Sequence, residues 1–213
     1  MPYLLVTMLS LTLLSGCQSA YYSAMESVGV HKREIMVDRV EEATEAQQDA
    51  QQQFTSALEA LKALTQFDGG ELEDMYNRIN DQYEASTDAA DKVSSRIAAI
   101  EDVADALFDE WQDELSLYTS SKLKRDSERK LNNTKASYQR MFSAMHRAEQ
   151  KMTPVLNTLR DNTLYLKHNL NAAAIGDLQG EFNTLQRDIE RAIGDMESAI
   201  AESERFISQL KKA

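Results

Sequence analysis

The feature that most limits what this chain can fold into is an apolar stripe advancing in alternating steps of three and four residues. That spacing is a coiled-coil seam, in which a helix keeps one edge turned to its neighbours. A first segment visits Met36, Val40, Ala43, Gln47, Ala50, Phe54, Ala57, Leu61 and Leu64, with only Gln47 polar. A second visits Leu72, Tyr76, Ile79, Tyr83, Ser86, Ala90, Val93, Ile97, Ile100, Ala104, Leu107 and Trp111. Leu115 and Tyr118 continue it after one extra four-residue step, a stutter that locally unwinds a supercoil. The third runs Leu131, Thr134, Tyr138, Met141, Met145, Ala148, Met152, Val155, Leu159, Asn162 and Leu166. Pro154 does not disturb its phase, which predicts a kink rather than a break, with Thr153-Pro154 as an alternative helix start. The fourth runs Leu178, Phe182, Leu185, Ile189, Ala192, Met196, Ala199, Ser203, Phe206 and Leu210, widened by Ile193, Ile200 and Ile207.

No strand-like alternation interrupts these stripes, and the chain holds only seven glycines and two prolines in 213 residues. Gly69-Gly70 supplies a turn where positive φ is cheap. Thr119-Ser120-Ser121 supplies a hydroxyl to cap the following helix, and a third break falls near residues 169–174. Segments of roughly 35–50 residues span about 50–75 Å each, and short connections make neighbours antiparallel. The expectation is an all-α, elongated antiparallel four-helix bundle or coiled coil over residues 28–213. Two long hairpins that splay, or that pair with another copy as a homo-oligomer, are the alternative.

A different pattern precedes the stripes. Leu4 to Leu14 has eight apolar residues in eleven, followed by Ser15, Gly16 and the only cysteine, Cys17. The run is too short for a permanent transmembrane helix, which needs roughly 20 residues, but it suits the apolar core of a secretory signal. Leu14-Ser15-Gly16-Cys17 resembles a bacterial lipoprotein box, although Met1-Pro2-Tyr3 lacks the basic residue usual ahead of such a run. The resemblance implies diacylglycerol on the Cys17 sulfur, cleavage between Gly16 and Cys17, and acylation of the new amino group with a fatty acid such as palmitate. Residues 1–16 then form a lipoprotein signal peptide and 17–27 a lipidated tether. Two or more acyl chains hold stably where one does not. Gln18 is not the Asp that marks inner-membrane retention in enteric lipoproteins, so the expected location is the periplasmic face of the outer membrane. Tyr21 and Tyr22 suit either the lipid–water boundary or simple packing.

Charge narrows the partners. The formal net charge of −12 lies wholly beyond residue 16, which argues against nucleic acid, whose phosphates need clustered Lys and Arg. Residues 101–114 carry seven acids and no base, and Lys122, Lys124, Arg125, Arg129, Lys130 and Lys135 follow across the turn. Both clusters oppose their own helix macrodipole, so antiparallel pairing would relieve both. A basic lip facing anionic lipid headgroups is the sharper reading, with the 119–121 turn at the same end as Cys17.

Chemistry-bearing constellations are sparse. His31-Lys32-Arg33-Glu34 and His146-Arg147-Ala148-Glu149 have ligand spacing, but in such a bundle the two histidines stand about 14 Å and about 37 Å from the shared end. Solvated helix faces are the plainer reading of both. No Gly-x-Ser-x-Gly elbow, phosphate loop or Cys-x-x-Cys occurs, and the lipoprotein-box resemblance implies that the thiol is consumed by lipid. No catalytic residue, metal site or cofactor is therefore assigned. Met141, Met145 and Met152 read as adaptable core, or less readily as an apolar-ligand groove.

Together, LLSGCQSAYYSAMESVGVHKREIMVDRVEEA, ALFDEWQDELSLY, KRDSERKL and LYLKHNLNAAAIGDL resemble a family of gammaproteobacterial lipoproteins catalogued as domain of unknown function 2959. The resemblance implies a helical cell-envelope protein and carries no activity or site residue with it. The resulting expectation is a non-enzymatic, outer-membrane-anchored structural or partner-binding scaffold whose envelope partner the sequence does not name. A helical bundle that binds lipid or another apolar ligand is the alternative.

Overall fold

A computed structural model describes residues 16–65, 72–169 and 172–212. The apolar run Leu4–Leu14 and the turn Gly69-Gly70 lie outside the described residues, as does the side chain of Leu178. Among the described residues five helices follow one another: α1 (Gly16–Ser27), α2 (Lys32–Thr65), α3 (Leu72–Glu114), α4 (Ser121–His168) and α5 (Ala172–Leu210). No strand occurs among the described residues. The long helices α2 to α5 have 34, 43, 48 and 39 residues. At 1.5 Å per residue they are about 50–70 Å long.

The seam read from the sequence is the core of this all-α bundle. Every α2 stripe position from Met36 to Leu64 is buried, Gln47 included. The α4 stripe is buried from Leu131 to Leu166 except for half-buried Tyr138, and the α5 stripe is buried from Leu185 to Leu210. Chain order is also the order around the bundle, with α5 closing against α2. Polar ties fix the antiparallel register. Lys92 pairs with Asp49 at 2.7 Å and Arg96 with Glu42 at 2.8 Å between α3 and α2. Gln51 Nε2 donates to the Ile193 carbonyl at 3.2 Å between α2 and α5. Across α3, α4 and α5, Tyr138 gathers Phe108 and Phe206 with ring centroids 5.4 and 6.2 Å away.

Helix ends follow local chemistry. Ser120 caps α4, its Oγ accepting from the Leu123 amide at 3.4 Å. α4 runs unbroken through Pro154, which lies on the exposed face. The stutter expected at Leu115–Tyr118 is instead the end of α3. The chain tightens into a 3-10 turn at Leu115–Leu117, Leu115 stays buried, and Tyr118 turns outward in an extended conformation. Leaving the i→i−4 pattern there lets the next residues reverse direction within three positions.

Two buried hydroxyls, Ser203 on the seam and Thr163 beside it, satisfy themselves locally. Ser203 Oγ and Thr163 Oγ1 each donate to the carbonyl four residues back at 2.8 Å. Gln47 does not. Neither its Nε2 nor its Oε1 meets a hydrogen-bond partner among the described residues, though the side chain is fully enclosed.

Candidate functional site

The most differentiated part of the molecule is the end where the α1–α2 turn meets the α3–α4 turn. Its geometry begins with Gly29, whose φ of +86° is the left-handed conformation that glycine adopts without a Cβ penalty. The Val30 amide donates to the Met25 carbonyl and the Gly29 amide to the Glu26 carbonyl, at 3.0 Å each. This paired closure is a Schellman motif, and the Met25–Val30 apolar pair that accompanies it packs on the core. The turn sends α1 back along α2, so the segment expected as a tether is a docked helix. Tyr22 on α1 is 7% exposed and belongs to the core cluster, whereas Tyr21 faces outward. Burial, then the Asp102 carboxylate, pushes the Tyr22 phenol pKa up.

Lys32 fastens the arrangement. It is the first residue of α2, its side chain only 12% exposed, and its ammonium meets Glu26 of α1 and, at 3.0 Å, Glu110 of α3. Burial alone would pull the Lys32 pKa down, but the hydrogen bonds to Glu26 and Glu110 prevail and hold it above its ordinary value. The Lys32 hydrogen bond correspondingly holds Glu26 below the ordinary carboxylate range. Next in sequence, Arg33 lies over the Trp111 ring with its guanidinium carbon 5.4 Å from the centroid. Trp111 Nε1–H donates to Ser127 Oγ at 2.8 Å, tying α3 to α4.

These residues wall a cleft of about 770 Å³, to which α3 brings Glu110, Trp111 and Glu114 and α4 brings Asp126, Arg129 and Lys130. The acid-rich end of α3 and the base-rich start of α4 both line the cleft, as the hairpin reading expects, although Arg129 pairs with Asp126 of its own helix. α2 adds a share that reading did not include, since Glu110 is held by Lys32. What the cleft offers is ionic and aromatic contact. Among the described residues, no three of His, Cys, Asp and Glu come together to hold a metal ion.

The sequence candidates separate in space. Gly16 and Cys17 open α1. Because α1 doubles back, Cys17 lies about 15 Å from the Gly29 turn along the bundle, and not at its tip. His31 lines the cleft, while His146, far along α4, sits 2.8 Å from Glu149 with its ring against Phe142. Met141, Met145 and Met152 are enclosed in the core. Sequence reading missed the Glu26–Lys32–Glu110 bridge and the Arg33–Trp111 stack. The available signal was Lys32-Arg33, two bases at the height of an otherwise all-acidic stretch of the neighbouring helix.

Fold and cleft together define an all-helical bundle protein with an N-terminal helix clasped to one end. The chain belongs to the family described as Protein of unknown function (DUF2959), whose model matches residues 21–210, from the docked face of α1 to the last turn of α5. No curated protein and no solved structure matches the chain. No helix among the described residues is long and apolar enough to cross a membrane.

Proposed function

We propose that this protein is a lipid-anchored scaffold of the bacterial cell envelope. Acyl chains on Cys17 hold it to the periplasmic face of the outer membrane, and its helical body serves as a non-enzymatic structural or partner-binding surface. The observation that carries this reading is Leu14-Ser15-Gly16-Cys17 placed directly before a helical body. A continuous core in α2 to α5 supports structural use. The methionine stripe that suggested an apolar-ligand bundle is spent on that core, which favours partner contact through the exposed surface and the end cleft.

Fractionation of cells making the full chain tests the proposal. Wild-type protein is expected in the outer-membrane fraction, and Cys17→Ala is expected to leave it. Identical fractionation of both, with no lipid mass on the N-terminal peptide, would remove the anchor from the account. Crosslinking in intact cells then identifies the partner.

A further inference from the structure

The clasped end of the bundle exposes apolar side chains that nothing among the described residues covers. Leu117 is 77% exposed, Val28 73%, Leu123 56% and Tyr118 41%. Val28, Leu117 and Tyr118 sit on the two turns that close this end, Leu123 lies in the first turn of α4, and Tyr118 and Leu123 line the cleft. The first turn of α4 also carries Lys122, Lys124 and Arg125, all exposed. From Leu115 to Arg125 there are three bases and no acid, on a chain whose net charge is −12. Exposed Glu114 and half-buried Asp126 flank this run in sequence.

We infer that this tip, built from Val28, Leu117, Tyr118, Leu123 and the bases Lys122, Lys124 and Arg125, is a second membrane contact that settles into an anionic lipid surface. Charge complementarity selects this occupant: the tip is a basic island on an acidic protein, and its bases oppose the macrodipole of α4, an imbalance an anionic surface relieves. Leucine bodies bury in the acyl boundary, tyrosine favours the interface, and lysine stems extend so that their ammonium groups reach the phosphates. Each base near an anionic surface contributes about fivefold in partitioning. The inference deepens the anchor reading and rests on it for orientation. With Cys17 about 15 Å up the flank and the tip in the headgroups, the bundle leans on the membrane instead of standing upright from it.

The test uses the full lipidated chain carrying Leu117→Cys, Leu123→Cys or, as a remote control on exposed α4 surface, Lys151→Cys. With Cys17 occupied by lipid, the new thiol alone takes an environment-sensitive nitrobenzoxadiazole label, and the protein is reconstituted on phosphatidylethanolamine–phosphatidylglycerol vesicles. Expected are blue-shifted emission and quenching by lipid-borne nitroxide at positions 117 and 123, with neither at 151. The shift should vanish on phosphatidylcholine. The triple variant Lys122→Glu, Lys124→Glu, Arg125→Glu should lower occupancy of the shifted state at least about a hundredfold. Vesicle flotation and N-terminal peptide mass report the anchor separately. Protein that floats with unshifted probes overturns the tip contact and keeps the anchor. Shifted probes on chains without lipid mass, repeated with Cys17→Ala so that the new thiol is again the one labelled, keep the tip and overturn the anchor, and neither signal overturns both. A shift that follows protein concentration in the absence of vesicles assigns the tip to a second copy and overturns the lipid assignment. An equal shift on neutral and anionic vesicles overturns its anionic specificity.

Discussion

Gln47 offers the sharpest test of how the bundle is held together, because its amide is fully enclosed with no hydrogen-bond partner among the described residues for either polar atom. Measured in proteins, an unpaired buried amide costs about 1–3 kcal/mol. Leucine has nearly the same volume and would fill the seam position with apolar surface. Against that gain stands a shape mismatch, which for volume-conserving core exchanges costs less than about 1.5 kcal/mol. Gln47→Leu should therefore stabilise the protein by about 1–2 kcal/mol. For a chain of this length that raises Tm by about 2–8 °C. Met145→Ala, at a position equally enclosed on α4, calibrates the assay and should cost about 2–5 kcal/mol. Circular dichroism at 222 nm during thermal and urea unfolding reads both. If Met145→Ala behaves so while Gln47→Leu loses a kilocalorie or more, the amide is hydrogen-bonded in the native protein and the argument fails. Sedimentation of the same variants reports any accompanying change of oligomeric state.

Three other substitutions and conditions probe distinct elements. Pro154 interrupts the hydrogen-bond ladder of α4 on an exposed face, so Pro154→Ala should stabilise by up to about 3 kcal/mol; an unchanged urea midpoint would show that the helix absorbs the proline without cost. Trp111→Phe keeps an aromatic platform under Arg33 but loses the hydrogen bond to Ser127. A loss of about 1 kcal/mol is expected, and no loss in urea unfolding would mean that the α3–α4 tie contributes nothing net. The clasp of α1 should depend on pH. Glu26 lies below its ordinary value of 4.5 when folded, so its contribution is complete above that value and is lost as pH falls through the lower, folded one. Lys32 lies above its ordinary 10.5, so its contribution is complete below 10.5 and is lost as pH rises past the folded value. Amide hydrogen exchange in residues 21–27, corrected for intrinsic rates, should be flat through neutrality and quicken only on acidification below the ordinary 4.5; quickening near neutrality would point to another group.

The long helices were legible because their stripes obey one rule over many turns. Met36 to Leu64 in α2 and Leu185 to Leu210 in α5 are buried at every expected step, polar Gln47 and Ser203 included, since position in the seam outweighs the polarity of one residue. Ser120 was legible for a similar reason, a hydroxyl between two periodic runs. The return of α1 was not. Its reversal depends on Gly29 alone, set between two valines without the polar cluster that marks most turns, and twelve helical residues give too little periodicity to predict docking. The clasp escaped notice because it joins residues 26, 32 and 110, which sequence spacing relates only once the α1 reversal and the bundle register are known. Tyr118 misled by matching the seam one step beyond the point where α3 ends.

The claim beneath the functional account is that Cys17 carries the lipid that places this helical body at a membrane. Intact mass of the N-terminal peptide from protein purified out of the envelope tests it most directly. The account predicts a peptide beginning at Cys17 and heavier by a diacylglycerol and an amide-linked acyl group. A peptide that retains residues before Cys17, or one that begins there with a free, alkylatable thiol, would contradict it.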